Sequence, residues 1–195
     1  MQKLLGKLII TLLGWKLNKN VPKEVYEKCV IIAAPHTSNW DYPLTMAAMS
    51  MFEVNMKYTI KKEWIESPLG WLFRALGGIG VDRFAKDGSK KISLVDAIAN
   101  LFEESETLTI IVQPEGTRSL QKKWKTGFYY IAQKAQVPIV FGYLDYKNKS
   151  IGIEKVLYPS GDLEADMFKI MEFYKNIPAK FPEKFALDER FTKVK

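Results

Sequence analysis

From Val30 onward the chain alternates short apolar runs with helix-length stretches, and this alternation restricts the fold more than any other feature. Val30–Ala34, Thr107–Gln113 and Val137–Tyr143 are apolar, largely β-branched and without charge, as expected of strands covered on both faces. Lys57–Ile60, Ile79–Val81 and Ile151–Val156 are further strand candidates. Between these runs, Asp41–Met51, Pro68–Leu76, Lys90–Glu104, Gly127–Gln136 and Met167–Asn176 carry helical spacing; in the third of them Ile92, Val95, Ile98, Ala99 and Phe102 share one face. Asp41 with Pro43 marks a helix start and Gly77-Gly78 a helix stop. Strands separated by helices predict one α/β domain, with a mixed central sheet and helices on both faces. The 195 residues suffice for one substantial core, and no repeat or linker interrupts them.

The amino-terminal stretch Met1–Leu17 is expected to form a short amphipathic helix. Lys3 and Lys7 fall on a narrow face with Gly14, while Leu4, Leu5, Leu8, Ile9, Leu12 and Leu13 occupy most of the rest. Only eight residues separate Lys7 from Lys16, far short of the ~20 needed to cross a bilayer. Lys7 within the apolar stretch also argues against a secretory signal. Such a helix either lies in a membrane interface, with Trp15 and the lysines at headgroup level, or packs on the core. The interface reading is taken as the expectation, dividing the chain into an interfacial helix at 1–20 and a folded domain at 21–195.

Charge placement supports an anionic partner. Residues 1–28 hold six lysines against Glu24 and Glu27, and residues 118–134 hold Arg118, Lys122, Lys123, Lys125 and Lys134 with no acid. No zinc-finger or aromatic RNA-binding signature accompanies the charge, so nucleic acid is not expected. A single cysteine, Cys29, excludes an internal disulfide and points to a reducing compartment. With only one histidine, the common zinc patterns are excluded too, and no metal is expected. Gly78-Ile79-Gly80 opens like a dinucleotide fingerprint, but Arg83 occupies the place of the third glycine and no strand-then-helix frame surrounds it.

That one histidine, His36, leaves the apolar strand through Pro35 and enters the loop Thr37-Ser38-Asn39-Trp40, a usual place for active groups in α/β sheets. Its unperturbed pKa suits base work near neutrality. Asp41 could accept from one ring nitrogen, leaving the other to take a proton, and could also cap the helix it begins. Ser38 stands too near to be assumed a nucleophile, no Gly-x-Ser-x-Gly elbow exists, and Cys29 reads as packing. Direct attack by an activated substrate hydroxyl is therefore the simpler chemistry. Glu115-Gly116-Thr117-Arg118 follows a strand; its glycine permits close backbone approach, and its arginine suits phosphate.

Four blocks in order resemble the 1-acylglycerol-3-phosphate acyltransferase family of glycerophospholipid acyltransferases, over roughly residues 30–145. They are His36 with Asp41, Gly77 to Arg83, Glu115-Gly116-Thr117-Arg118, and Val137-Pro138-Ile139. The resemblance implies that His36 is the base and Asp41 its orienting partner. It implies that Arg83, Glu115, Gly116, Thr117 and Arg118 form the acceptor phosphate site. It further implies acyl transfer to the hydroxyl of lysophosphatidate or a related lysolipid, from a thioester on coenzyme A or acyl carrier protein. No other cofactor follows, and a peripheral position on the cytoplasmic face of a membrane does. A thioesterase or a non-catalytic lipid-binding protein of the same fold are the alternatives.

Overall fold

The structure, a computed structural model, describes residues 2–81 and 92–193. Its elements run α1 (Gln2–Leu12), β1 (Lys16–Lys19), α2 (Lys23–Tyr26), β2 (Lys28–Ala34), α3 (Asp41–Phe52), β3 (Met56–Lys61), α4 (Lys62–Glu66), α5 (Gly70–Ala75), β4 (Gly78–Val81), α6 (Leu94–Glu103), β5 (Leu108–Val112), α7 (Gly127–Ala135), β6 (Ile139–Asp145), β7 (Ser150–Leu157) and α8 (Leu163–Tyr174). Two 3-10 turns, at Pro182–Lys184 and Glu189–Phe191, complete the tail.

The strands form one seven-stranded sheet in the order β1-β7-β6-β2-β5-β3-β4. Neighbours are parallel except the β6–β7 hairpin, whose reversal makes the sheet mixed. β2 lies at the centre and is buried at every position after Lys28. Its side chains alternate between two cores, as the strand period of two requires. Val30 and Ile32 join α6, α7 and α8 through Phe102, Phe128 and Tyr174 on one face. Ile31 and Ala33 join α1 and α3 through Ile10, Leu44 and Met49 on the other. The expected α/β layering is thus met, with helices on both faces.

Element limits depart from expectation where short-range chemistry intervenes. α6 begins at Leu94 rather than at Lys90, because the Ser93 hydroxyl accepts from the Asp96 amide at 3.1 Å and caps the helix there. The five-residue α4 was not expected at all.

The amino-terminal expectation needs the larger correction. α1 stops at Leu12, and Lys16–Lys19 pairs with Ser150–Ile153 as an edge strand instead of continuing an interfacial helix to residue 20. The cause is Gly14, at φ 68°: its N–H donates to Thr11 O at 3.1 Å and the Trp15 N–H to Ile10 O at 2.9 Å. That is the Schellman pattern, whose left-handed residue is most readily supplied by glycine. α1 buries Gly6 and Ile10 against α3, and a Cβ at Gly6 would stand 2.7 Å from Ala47 O. Its leucines face outward all the same: Leu4 and Leu12 are each 74% exposed.

Candidate active site

β2 and β5 end side by side, and the loops leaving them build the site. The chain exits β2 at Ala34, makes the loop 35–40 and enters α3 at Asp41. Asp41 turns its carboxylate back over that loop. Oδ2 accepts from the Thr37 amide at 2.9 Å, the Ser38 amide at 2.9 Å and His36 Nδ1 at 3.1 Å. Oδ1 accepts from the Tyr146 hydroxyl at 2.5 Å. The sequence-based expectation of a helix cap is therefore corrected. Asp41 is the first helical residue, and its side chain closes the preceding loop instead of capping α3. Burial raises the Asp41 pKa, but hydrogen bonds from His36, Tyr146 and the Ser38 amide outweigh it and hold the carboxyl below its ordinary value. An ionised carboxylate can only accept, so the shared proton sits on His36 Nδ1 and Nε2 is the nitrogen left to take another.

Glu115, expected in a phosphate-binding turn, does something else. Its side chain is buried, and Oε1 accepts from the His36 amide at 2.9 Å, tying the β5 exit to the β2 exit. Oε2 has no hydrogen-bond partner. Burial pushes the Glu115 carboxyl up to about 7, with the His36 amide pulling the other way. The buried carboxyl thus fixes the His36 loop to the end of β5.

Beside the His36–Asp41 pair opens a cavity of about 660 Å³. It is lined by the apolar Met56, Phe73, Leu76, Ile111 and Leu144, by the polar Tyr42, Thr45, Tyr58, Thr59 and Gln113, and by His36, Asp41, Gly116, Arg118 and Lys125. Of the Glu115–Arg118 turn, Gly116 and Arg118 line this cavity, whereas Glu115 and Thr117 do not; the Thr117 hydroxyl accepts from the Ser119 amide at 3.3 Å. Arg83 lies outside the described residues. Lys125 is the residue that sequence reasoning missed. It stood in the basic run 118–134 without distinction, but its side chain folds across Gly116. Gly116 has φ 69°, a backbone conformation that favours glycine, and a Cβ there would displace the end of the Lys125 side chain, 2.8 Å away at Cε. The carboxyl-terminal tail anchors the same loop: the buried Trp124 donates its amide to Asp188 Oδ2 at 2.7 Å and its indole N–H to Ala186 O at 3.0 Å.

Neither side chain first weighed as a nucleophile is placed for covalent work. Burial pushes the Cys29 thiol up to about 12, leaving it protonated and unreactive at neutral pH. The Ser38 hydroxyl is buried and accepts from the Trp40 amide at 3.1 Å.

Fold and site together define a class: an α/β protein that sets a histidine–carboxylate pair just past the end of the central strand, beside a cavity lined by both apolar and cationic side chains. The sequence model of the Acyltransferase family matches residues 16–141, and the chain belongs to that family. No curated protein sequence matches it. Among solved structures it is similar to the crystal structure of the 1-acyl-sn-glycerophosphate (LPA) acyltransferase, PlsC, from Thermotoga maritima. The TM-score is 0.55 and the identity 22%, over 88% of this chain and 74% of that one. The likeness extends to the fold.

Proposed function

We propose that this acyltransferase moves a fatty acyl group from a thioester to the free hydroxyl of lysophosphatidate or a closely related lysolipid. One observation carries the reading: the His36–Asp41 pair lines a cavity that it shares with apolar side chains and with Arg118 and Lys125. His36 Nε2 removes the proton from the acceptor hydroxyl as the oxygen attacks the thioester carbonyl carbon. The tetrahedral adduct collapses, the carbon–sulfur bond breaks, and the leaving thiolate takes the proton back from His36. General-base assistance of this kind contributes ~10²–10⁴ in rate. Holding two substrates in line contributes more, about 7–11 kcal/mol. The resident Cys29 and Ser38 leave no good candidate for an acyl-enzyme, which favours direct transfer. The donor thioester is on coenzyme A or acyl carrier protein, with no further cofactor proposed.

Arg118 and Lys125 supply the acceptor's phosphate contacts in this reading. Arg118→Ala and Lys125→Ala are each expected to lower kcat/KM for lysophosphatidate by roughly 10–100-fold, the weight of one charge-assisted contact. Monoacylglycerol, which lacks the phosphate, should be used equally by parent and variants. Equal slowing of both acceptors would remove the phosphate assignment. Release of free fatty acid at a rate independent of any acceptor would replace transferase with thioesterase.

We also propose that the protein works at the surface of an anionic, cytoplasmic leaflet. Among the described residues no helix is long and apolar enough to cross a membrane. The leucines of α1 nevertheless face outward, and so do Trp64, Leu69 and Trp71 of the α4–α5 segment. Lys3 of α1 and Leu76, just after α5, line a single groove with Met46, Met49 and Ser50 of α3. Each lysine near an anionic surface adds about 1 kcal/mol, which salt screens. Replacing Leu4, Leu8 and Leu12 together by serine removes no core contact. The expected result is that wild type co-sediments with anionic vesicles, weakens but persists at high salt, and is lost from the pellet in the triple variant. Equal sedimentation of the two proteins would show that α1 does not dock.

A further inference from the structure

We infer that Tyr146 is a positioning residue for acyl transfer, holding the Asp41 carboxylate in line with His36 Nδ1. It lies 105 positions from Asp41 in sequence and belongs to none of the four blocks that mark the family. The inference rests on the reading of His36 as base, and part of its test is independent of that reading.

The carboxylate of an aspartate rotates about a broad, weakly restrained torsion, so one well-bonded oxygen does not by itself orient the group. Asp41 is held at both oxygens. Oδ2 collects the two loop amides and His36 Nδ1, while Oδ1 receives the Tyr146 phenol at 2.5 Å. With Oδ1 engaged, the carboxylate cannot swing the other oxygen onto the imidazole, and Oδ2 stays in line with Nδ1. Burial and the neighbouring Asp41 charge push the phenol far above the usual tyrosine range, so at neutral pH it remains a donor.

Tyr146 is itself braced from two separate parts of the chain. The Trp15 ring meets it edge-on, with centroids 5.1 Å apart and planes at 87°. Its amide donates to Pro178 O at 3.2 Å. Lys180 Nζ lies 5.7 Å from its ring centre and 5.5 Å from that of Trp40, which belongs to the catalytic loop itself. From the same tail segment the Phe181 amide donates to Thr37 Oγ1 at 3.3 Å. The tail from Pro178 to Phe181 therefore lies over the back of the His36 loop, and Tyr146 is the side chain joining that packing to the carboxylate. Trp15 is the residue that closes the end of α1, so the helix terminus is one ring away from Tyr146.

The test uses Tyr146→Phe in the full chain, because phenylalanine keeps the ring between Trp15 and Lys180 and removes only the hydroxyl. Steady-state kinetics with lysophosphatidate and an acyl thioester are expected to show kcat lowered about tenfold with KM unchanged. The melting temperature should stay within a few degrees. His36 is the sole histidine, so long-range proton–nitrogen correlation spectra of the imidazole report on it alone. Both proteins should keep Nδ1 protonated, because Asp41 still accepts from the Thr37 and Ser38 amides without the phenol. In Tyr146→Phe the Nδ1 proton should resonate upfield of its wild-type position and exchange faster with solvent, as the loosened carboxylate loses its line with Nδ1. Tyr143→Phe serves as the control: its hydroxyl meets Asn18 and Ser150, and its removal should change neither kcat nor the Nδ1 proton signal. An unchanged kcat, or a lowered kcat with the Nδ1 proton signal unmoved, overturns the inference. Absence of turnover in wild type would instead defeat the acyltransfer reading, while the imidazole spectra still decide whether Tyr146 holds the pair.

Discussion

Alanine in place of His36 should reduce acyl transfer by roughly 10²–10⁴ and leave the fold standing. The range is the usual weight of a positioned general base, and no second histidine can substitute for it. Stability should change little. The imidazole is 19% exposed, and its loss still leaves Asp41 Oδ2 with the Thr37 and Ser38 amides and Oδ1 with Tyr146. The measurement is product formation from lysophosphatidate and an acyl thioester, alongside a melting curve. Turnover near wild type in His36→Ala would end the proposed mechanism.

Asp41 should show two separable effects, depending on what replaces it. In Asp41→Asn the amide oxygen is forced into the Oδ2 position, because the Thr37 and Ser38 amides there can only donate. The side-chain NH₂ then faces the Tyr146 hydroxyl, which can accept from it. The Nδ1–H tautomer of His36 survives, and what disappears is the negative charge that steadies the imidazolium as it forms. The expected loss is about 10²-fold in kcat, below the ~10⁴ seen for histidine–aspartate pairs in which the same change also reverses the tautomer. In Asp41→Ala the two amides are left without partners in a loop where Thr37 and Ser38 are buried. Each unpaired group costs about 1–3 kcal/mol, so that variant should lose both activity and several degrees of melting temperature. Equal melting temperatures for Asp41→Ala and wild type would mean that the loop does not depend on this carboxylate.

How legible each part was in the sequence follows from how far its partners lie along the chain. β2, β5 and β6 were visible because a strand buried on both faces must be a continuous apolar run. α6 was visible from its one-sided spacing, although its start was set by a serine hydroxyl rather than by apolar period. β1 was not visible: four residues, two of them lysines, carry no strand signal and pair only because β7 presents an open edge. The signal that could have separated it from α1 was Gly14, the one residue there suited to a left-handed helix end.

The site divides in the same way. His36 and Asp41 are five residues apart, so a strand exit followed by a helix start was enough to bring them together, and the sequence by itself determined both that pair and the layered α/β fold around it. Glu115 meets His36 across 79 positions and Tyr146 meets Asp41 across 105. Lys125 reaches the cavity because it folds over a glycine nine positions earlier. Hydrophobic period and local capping encode contacts within a turn or two of the chain, and they carry no information about which loop ends share a sheet edge. Strand order decided that. By setting β5 and β6 on either side of β2, the tertiary structure tied a buried glutamate to the His36 amide, put a lysine beside the cavity, and gave the aspartate's other oxygen a donor.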